Sequence, residues 1–330
     1  VFNQASFLLS KIIPTTYMRS STMGTAGIWK LIMAAWSYED RLDIPDILPQ
    51  KTFTGGLSRL LEVGYAKNVA KLDYAALYPN IQLSGDIFPN LDISGVMKGL
   101  LLYIANNRDK YKGLMNENKH NATLAKNYLT TKADTITEER KTYVKEKLEE
   151  FNLLADMYDK KQLPIKILGN SFFGSLGAPN IYYWGDTDSA EEITCTGRQY
   201  LRLMVHFFAE RKFRPLVGDT DGFNFAIPDE IESYKYTPNG THRFTEKDKD
   251  TELSGLLAIV AEFNERFMIG RMGLDIDDIC ETTINFSRKN YGNLIGNKVK
   301  LVGNTIKSSK MPVYIEEFLD EGIKFLLNGD

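Results

Sequence analysis

Between Phe213 and Ile227 the chain reads FRPLV-GDTDG-FNFAI, two apolar segments separated by a tip of glycine, aspartate and threonine. Glycine and aspartate tolerate the backbone angles of a tight turn, and the flanking residues suit strands. The segment is therefore read as strand, turn and strand, which asks for an antiparallel sheet. A second strand is expected at Asn68–Leu77 (NVAKLDYAAL), closed by Tyr78-Pro79, and a third at Ile279–Phe286. Asp219 and Asp221 flank Thr220 at the hairpin tip, and Asp73 sits at the end of an apolar strand.

Helical patterns surround these strands, so the class is α+β. One stretch lies near Ile28–Trp36, before a Pro- and Gly-rich loop from Ile44 to Gly56. A helix from Val96 to about Asn116 precedes a polar Lys/Asn/Thr-rich stretch. A longer helix then runs from about Ile136 toward Phe173, with an interruption expected at Pro164. Two long helices joined by a polar tip predict an antiparallel projection. Ser189-Ala-Glu-Glu192 fits a capping box that opens a helix through Phe208. Residues Pro228–Thr251, with a turn at Pro238-Asn-Gly240, are expected to be a surface insertion. Helices at Glu252–Met268 and from Val313 complete the pattern.

A chain of 330 residues that is 43% apolar and 25% charged has room for about two globular domains and is neither fibrous nor disordered. Two cysteines, Cys195 and Cys280, supply no disulfide framework, and three scattered histidines supply no zinc spacing. Metal chemistry then rests on carboxylates. With no apolar run of membrane-spanning length and no signal-peptide layout in the first residues, a soluble, intracellular chain with no membrane partner is expected. The net charge of −3 argues at first against a nucleic-acid partner. Yet Ser287–Lys310 carries Arg288, Lys289, Lys298, Lys300, Lys307 and Lys310 with no acid. A charge run usually marks a solvated loop, but local positive charge is what a polyanion meets.

A carboxylate at a strand end plus an Asp-x-Asp tip can hold two Mg²⁺ through hard oxygen ligands, with Mn²⁺ as a substitute. Paired ions suit in-line phosphoryl transfer. Taken singly, each aspartate serves as readily in a turn or a cap. Arg108 and Lys112 are four apart on one helix, and Lys166 and Asn170 four apart on another. If those helices are antiparallel, the four groups converge on a spot suited to a triphosphate; Arg108 and Lys112 alone read as a solvated face.

The order of these pieces resembles family B DNA polymerases. Lys166-Ile-Leu-Gly-Asn170-Ser-Phe-Phe-Gly174 is similar to the KxxxNSxYG motif of the fingers, and Leu72–Pro79 to DxxSLYP. Thr194-Cys-Thr-Gly197-Arg198 matches TxxGR, Gly218–Asp221 matches the GDTD hairpin, and Lys289-Asn-Tyr291 resembles KxY, followed by Lys298–Gly303. Phe53-Thr-Gly55-Gly56 is close to the YxGG linker. The resemblance covers roughly residues 53–312. It implies a right-hand palm, an antiparallel sheet with helices, carrying a two-helix fingers projection. The implied spans are a linker region at 1–60, palm at 61–95 and 179–312, fingers at 96–178 and the start of a thumb at 313–330.

The implied activity is DNA-directed DNA synthesis from dNTPs on a primer–template. The resemblance makes Asp73, Asp219 and Asp221 the metal-binding catalytic acids. It gives Arg108, Lys112, Lys166 and Asn170 to the triphosphate and Tyr78 to the sugar, where the ring excludes a 2′-OH. DNA contacts fall to Gly55, Gly56, Thr194, Gly197, Arg198, Lys289, Tyr291, Lys298 and Lys300. Exonuclease acids and most of a thumb would lie outside this chain. Compact loops and the Asn/Lys-rich tip point to a viral or phage source, in which case the location is host cytoplasm.

Departures from the pattern are Ala76 for Ser, Phe173 for Tyr and Gly222 for Ser; the last frees the hairpin backbone. GDTD also occurs at Gly185–Asp188, where it runs into the helix start, so Asp186 and Asp188 are assigned to that terminus and the metals to the second copy. A catalytically silent DNA-binding scaffold of the same shape is the main rival, and a protein-primed polymerase is a variant of the first reading.

Overall fold

The computed structural model describes residues 10, 15–49, 51–132, 135–231, 255–296, 298–303 and 312–328. The helices are α1 (Tyr17–Thr22), α2 (Thr25–Glu39), α3 (Leu77–Gly85), α4 (Val96–Thr131), α5 (Glu138–Leu176), α6 (Thr187–Glu210), α7 (Gly255–Phe267) and α8 (Val313–Asn328). The strands are β1 (Ser58–Leu60), β2 (Gly64–Tyr74), β3 (Arg214–Asp219), β4 (Gly222–Ala226), β5 (Leu274–Ser287), β6 (Asn290–Ile295) and β7 (Lys298–Val302). The chain forms two compact units, one of Val1–Phe53 with Gly85–Glu192 and one of Thr54–Ser84 with Ile193–Asp330.

The second unit is built on one seven-stranded sheet in the order β1-β3-β4-β2-β5-β6-β7, with every pairing antiparallel. All of β4 is buried, as befits a central strand whose residues are apolar apart from Asn224. Phe208 of α6, Phe213, Phe225 of β4 and Phe263 of α7 form an aromatic core, with Phe208 5.2 Å from both Phe213 and Phe225. Edge and tilted ring contacts of this kind add about 0.5–1.5 kcal/mol per pair to the burial of area. At the other end α8 places Ile323 and Leu327 against Leu294, and Thr282 donates its hydroxyl to the Leu327 carbonyl at 2.8 Å.

The first unit is dominated by α4 and α5, 36 and 39 residues long. Tyr111 stacks on Tyr158 at 6.3 Å, and the Arg140 guanidinium lies over the Tyr128 ring, which sets the two helices antiparallel. Asp92 caps the start of α4 through the Val96 and Met97 amides, at 3.1 and 2.8 Å, and Thr137 caps α5. On α2, Trp29 is fully buried, donating from Nε1 to the Leu168 carbonyl and Ser171 hydroxyl of α5 and meeting Phe172 edge-on at 4.6 Å.

Four expectations about elements are corrected. The polar stretch after Asn116 is helical, because Ala122 and Asn118 are buried and Tyr128 meets Arg140 across the helix pair. Pro164 does not interrupt α5: it is buried inside the helix, where packing outweighs a local cost of about 3 kcal/mol. Tyr78-Pro79 does not close the strand; β2 ends at Tyr74, Ala76 turns with φ 47°, and both residues lie in the first turn of α3. The opening of α6 is capped by Asp186, whose carboxylate accepts from the Asp188 and Ser189 amides and the Ser189 hydroxyl, so Ser189 is inside the helix and not its cap. The hairpin is borne out. The Pro238 turn lies outside the described residues.

Candidate functional site

The β3–β4 hairpin closes with Asp219 opposite Gly222, leaving Thr220-Asp221 as a two-residue loop. Thr220 holds φ at 63°, a strained value for a β-branched residue. It is fixed from outside: its amide donates to the Leu57 carbonyl at 2.7 Å, and the Asp221 carbonyl accepts from the Tyr74 amide at 2.8 Å. Register then brings in Asp73, which lies opposite Gly222 across β2 and β4. A Cβ on Gly222 would stand 1.5 Å from Asp73 Oδ1. The glycine that sequence reading took as backbone freedom is thus the space that the Asp73 carboxylate fills.

Asp73, Asp219 and Asp221 line one cavity of 180 Å³ together with Lys71, Asn224 and Tyr291. Burial, then the charge of Asp73, pushes the Asp221 carboxyl up to about 6. Burial also raises Asp73, against the opposing pull of Lys71, and takes the Tyr291 hydroxyl up to about 12. Lys71 bridges Asp73 at 2.9 Å and Asp277 of β5 at 2.5 Å. Burial alone would lower its ammonium, but both carboxylates outweigh this and hold the proton above the usual lysine range. Lys289, at φ 65° in the β5–β6 turn, pairs with Asp219 at 2.9 Å.

Among the described residues no three His, Cys, Asp or Glu side chains form a ready-made metal cluster. The donor set nonetheless fits a hard cation, since three carboxylates share one cavity and their mutual repulsion shows in Asp221. Sequence reading missed Lys71 and Asp277. A lysine two residues before Asp73, on the same face of the strand, was the available signal for the first; the second needed the β2–β5 pairing.

A second group lies on α6 and α3. Thr194 Oγ1 and Arg198, one turn apart, clamp the segment before β1: the hydroxyl donates to the Thr54 carbonyl at 2.8 Å, and the guanidinium to Thr54 and Gly55 carbonyls at 2.5 and 2.8 Å. Tyr78 fits between two glycines. A Cβ on Gly56 would be 2.5 Å from its hydroxyl, and one on Gly197 would be 3.2 Å from its ring. Burial, followed by the charge of Asp221, raises the Tyr78 hydroxyl. Lys300 pairs with Asp278 at 2.5 Å, and Lys298 is exposed on β7. Lys307 and Lys310 lie outside the described residues.

In the other unit, Arg108 and Lys112 of α4 and Lys166 and Asn170 of α5 occupy the same stretch of the helix pair. Ile104 meets Gly169, and Tyr111 meets Tyr158, so the segments between them run side by side. Lys166 and Asn170 are exposed, and Lys166 has no ion-pair partner among the described residues. The first GDTD copy is engaged elsewhere: Asp186 is the cap and Asp188 pairs with Lys51 at 3.1 Å.

Comparison with known proteins gives a consistent picture. A sequence profile described as DNA polymerase family B matches residues 51–234, just over half of the chain. The DNA polymerase of Desulfurococcus sp. (strain Tok) is 27% identical over 240 residues, covering 64% of this chain and 26% of its own length. That of Archaeoglobus fulgidus is 29% identical over 163 residues, covering 48% and 19%. Among solved structures, the family B DNA polymerase from Pyrobaculum calidifontis aligns with 98% of this chain and 40% of its own, at a TM-score of 0.54 and 14% identity. That likeness concerns the fold, a mixed helix and antiparallel-sheet architecture. The chain spans about a quarter of the curated relatives it matches.

Proposed function

The chain belongs to DNA polymerase family B, and we propose that it carries the nucleotidyl-transfer centre of such an enzyme, adding dNMP from dNTP to a primer 3′-OH on a DNA template. The observation that carries this reading is the convergence of Asp73, Asp219 and Asp221 on one cavity through the β2–β4 register and the hairpin turn. In this reading the sheet-bearing unit is the palm, α4 and α5 are the fingers, 1–60 is linker and 313–330 opens a thumb. Asp73, Asp219 and Asp221 would hold two Mg²⁺, which when bound would supply Lewis-acid stabilisation of the reacting phosphate.

The remaining groups position and neutralise. Arg108, Lys112 and Lys166 offset the charge of the triphosphate, and Asn170 donates to it. Tyr78, stiffened between Gly56 and Gly197, presents its ring to the C2′ side of the sugar. Thr194 and Arg198 hold the Thr54-Gly55 backbone, and with it the adjoining Gly56, in place for the DNA, and Lys289, Tyr291, Lys298 and Lys300 meet phosphates without reading bases. Lys71, with Asp277, fixes Oδ2 of Asp73 and leaves Oδ1 toward the hairpin.

A second reading, a silent DNA-binding scaffold, draws support from the two lysines that already sit on Asp73 and Asp219. Primer extension separates the two. With Mg²⁺ and dNTPs, Asp221→Ala is expected to abolish extension while primer–template binding stays near wild type, and Asp188→Ala to extend normally. Extension by Asp221→Ala at the wild-type rate, or none by the wild type while it binds DNA, would sink the catalytic reading.

A further inference from the structure

A second cavity in the sheet-bearing unit, of 350 Å³, shares no lining residue with the carboxylate cavity. Its floor is apolar, with Leu57, Leu61 and Phe223 among its residues, and its rim is basic: Arg59 from β1, Arg202 and His206 from α6. Arg202 and His206 follow Arg198 at successive intervals of four, so they extend along the same helix face as the clamp on Thr54 and Gly55. His206 stands 3.4 Å from Glu210. Arg59 and Arg202 have no carboxylate partner among the described residues, whereas Arg211, Arg214 and Arg266 of this unit each pair with a glutamate.

Two guanidiniums on one cavity, without a carboxylate partner among the described residues, favour an anion, and an apolar floor favours a flat, weakly hydrated body. A bare phosphate would satisfy the rim and leave the floor wet. A hydrocarbon would cover the floor and desolvate both guanidiniums without a partner. A nucleotide offers both halves. We propose that this cavity seats one nucleotide of an unpaired DNA strand, its phosphate on Arg59 and Arg202 and its base on Leu57, Leu61 and Phe223. The identification of that strand as template beyond the primer terminus rests on the polymerase reading above.

The test is fluorescence anisotropy on the chain with three labelled ligands: a blunt duplex, the same duplex with a 5′ template overhang, and that overhang made abasic. The double variant Arg59→Gln/Arg202→Gln is expected to lose about tenfold in affinity for the overhang ligand at moderate salt and to bind the blunt duplex unchanged. Its salt dependence on the overhang should flatten by about 0.7 in log–log slope, one single-strand phosphate contact. Arg59→Lys/Arg202→Lys, which keeps the charge, should recover most of the affinity and excludes misfolding as the cause. Wild type should bind the abasic overhang several-fold more weakly, because base stacking on the floor is lost.

Equal losses on blunt and overhang ligands, or none on either, would overturn the assignment. So would tight dTMP binding that depends on both arginines while overhang and blunt duplex bind alike, which would give the cavity to free nucleotides. If wild type binds a single-stranded oligonucleotide through these arginines but no duplex, the cavity assignment stands and the polymerase reading falls.

Discussion

Lys71 shows how one residue can carry a charge balance that no motif records. Its ammonium bridges Asp73 and Asp277, and all three side chains are less than a third exposed. Removing one partner from such a group leaves buried charge uncompensated, which costs several kcal/mol, about 3–5 in well-buried cases. Lys71→Met, which keeps the stem, should therefore lower the melting temperature of the metal-free protein. Mg²⁺ should then raise it by more in Lys71→Met than in wild type, since the divalent ion replaces the missing charge. Equal Mg²⁺ shifts in the two proteins would separate Lys71 from the cation site. Tyr78 is the other residue where geometry sharpens an expectation. Its hydroxyl lies against Gly56 and its ring against Gly197, so closely that a Cβ at Gly56 would collide with the hydroxyl. Tyr78→Val should relax discrimination against rNTPs, by several kcal/mol if the collision is the whole barrier, while Tyr78→Phe retains it; the measurement is the ratio of dNTP to rNTP incorporation. An unchanged ratio in an active Tyr78→Val would leave Tyr78 as packing.

At the scale of elements, the hairpin and the helix pair differ in how they hold function. The hairpin is over-determined: a two-residue loop, a strained Thr220, a hydrogen bond to the Leu57 carbonyl and one from the Tyr74 amide fix Asp219 and Asp221. Gly222→Ala would drive a methyl group into Asp73 and the Leu72 carbonyl. It should weaken Mg²⁺-induced stabilisation and primer extension together, whereas an Ala variant matching wild type in both would show that the carboxylate moves aside freely. On the helix pair Lys166 is exposed, whereas Arg108 and Lys112 are half-buried and not the solvated face that their spacing alone suggested. Lys166→Ala should impair dNTP use about tenfold to a hundredfold in kcat/KM, the equivalent of a lost charge-assisted contact of about 1.5–3 kcal/mol, with little change in DNA affinity. Equal losses in both would put Lys166 on the template path. The hairpin and the starts and faces of α4 and α5 were legible because turn chemistry and apolar spacing are local. The length of α4, the passage of α5 through Pro164 and the helical turn at Tyr78 were not, since each depends on packing that outweighs local preference.

For the molecule as a whole, a net charge of −3 sits beside cationic groups that are locally concentrated. Binding to primer–template should accordingly be independent of base sequence and fall steeply with salt, by an order of magnitude or more between about 50 and 200 mM for several phosphate contacts. Titration of affinity against salt with two unrelated sequences checks this, and a flat salt response would remove the phosphate-contact reading. By itself the sequence determined the class of the fold, the hairpin with its two aspartates, the separation of the two GDTD copies and the family, because each is written in short runs of adjacent residues. Tertiary structure decided the rest. Asp73 meets the hairpin only through the β2–β4 register, Lys71 finds Asp277 from 206 positions away, and Gly56 and Gly197 frame Tyr78 from two distant segments. Such contacts depend on which strands become neighbours, and a strand's partners are set by burial over the whole sheet and not by its own residues.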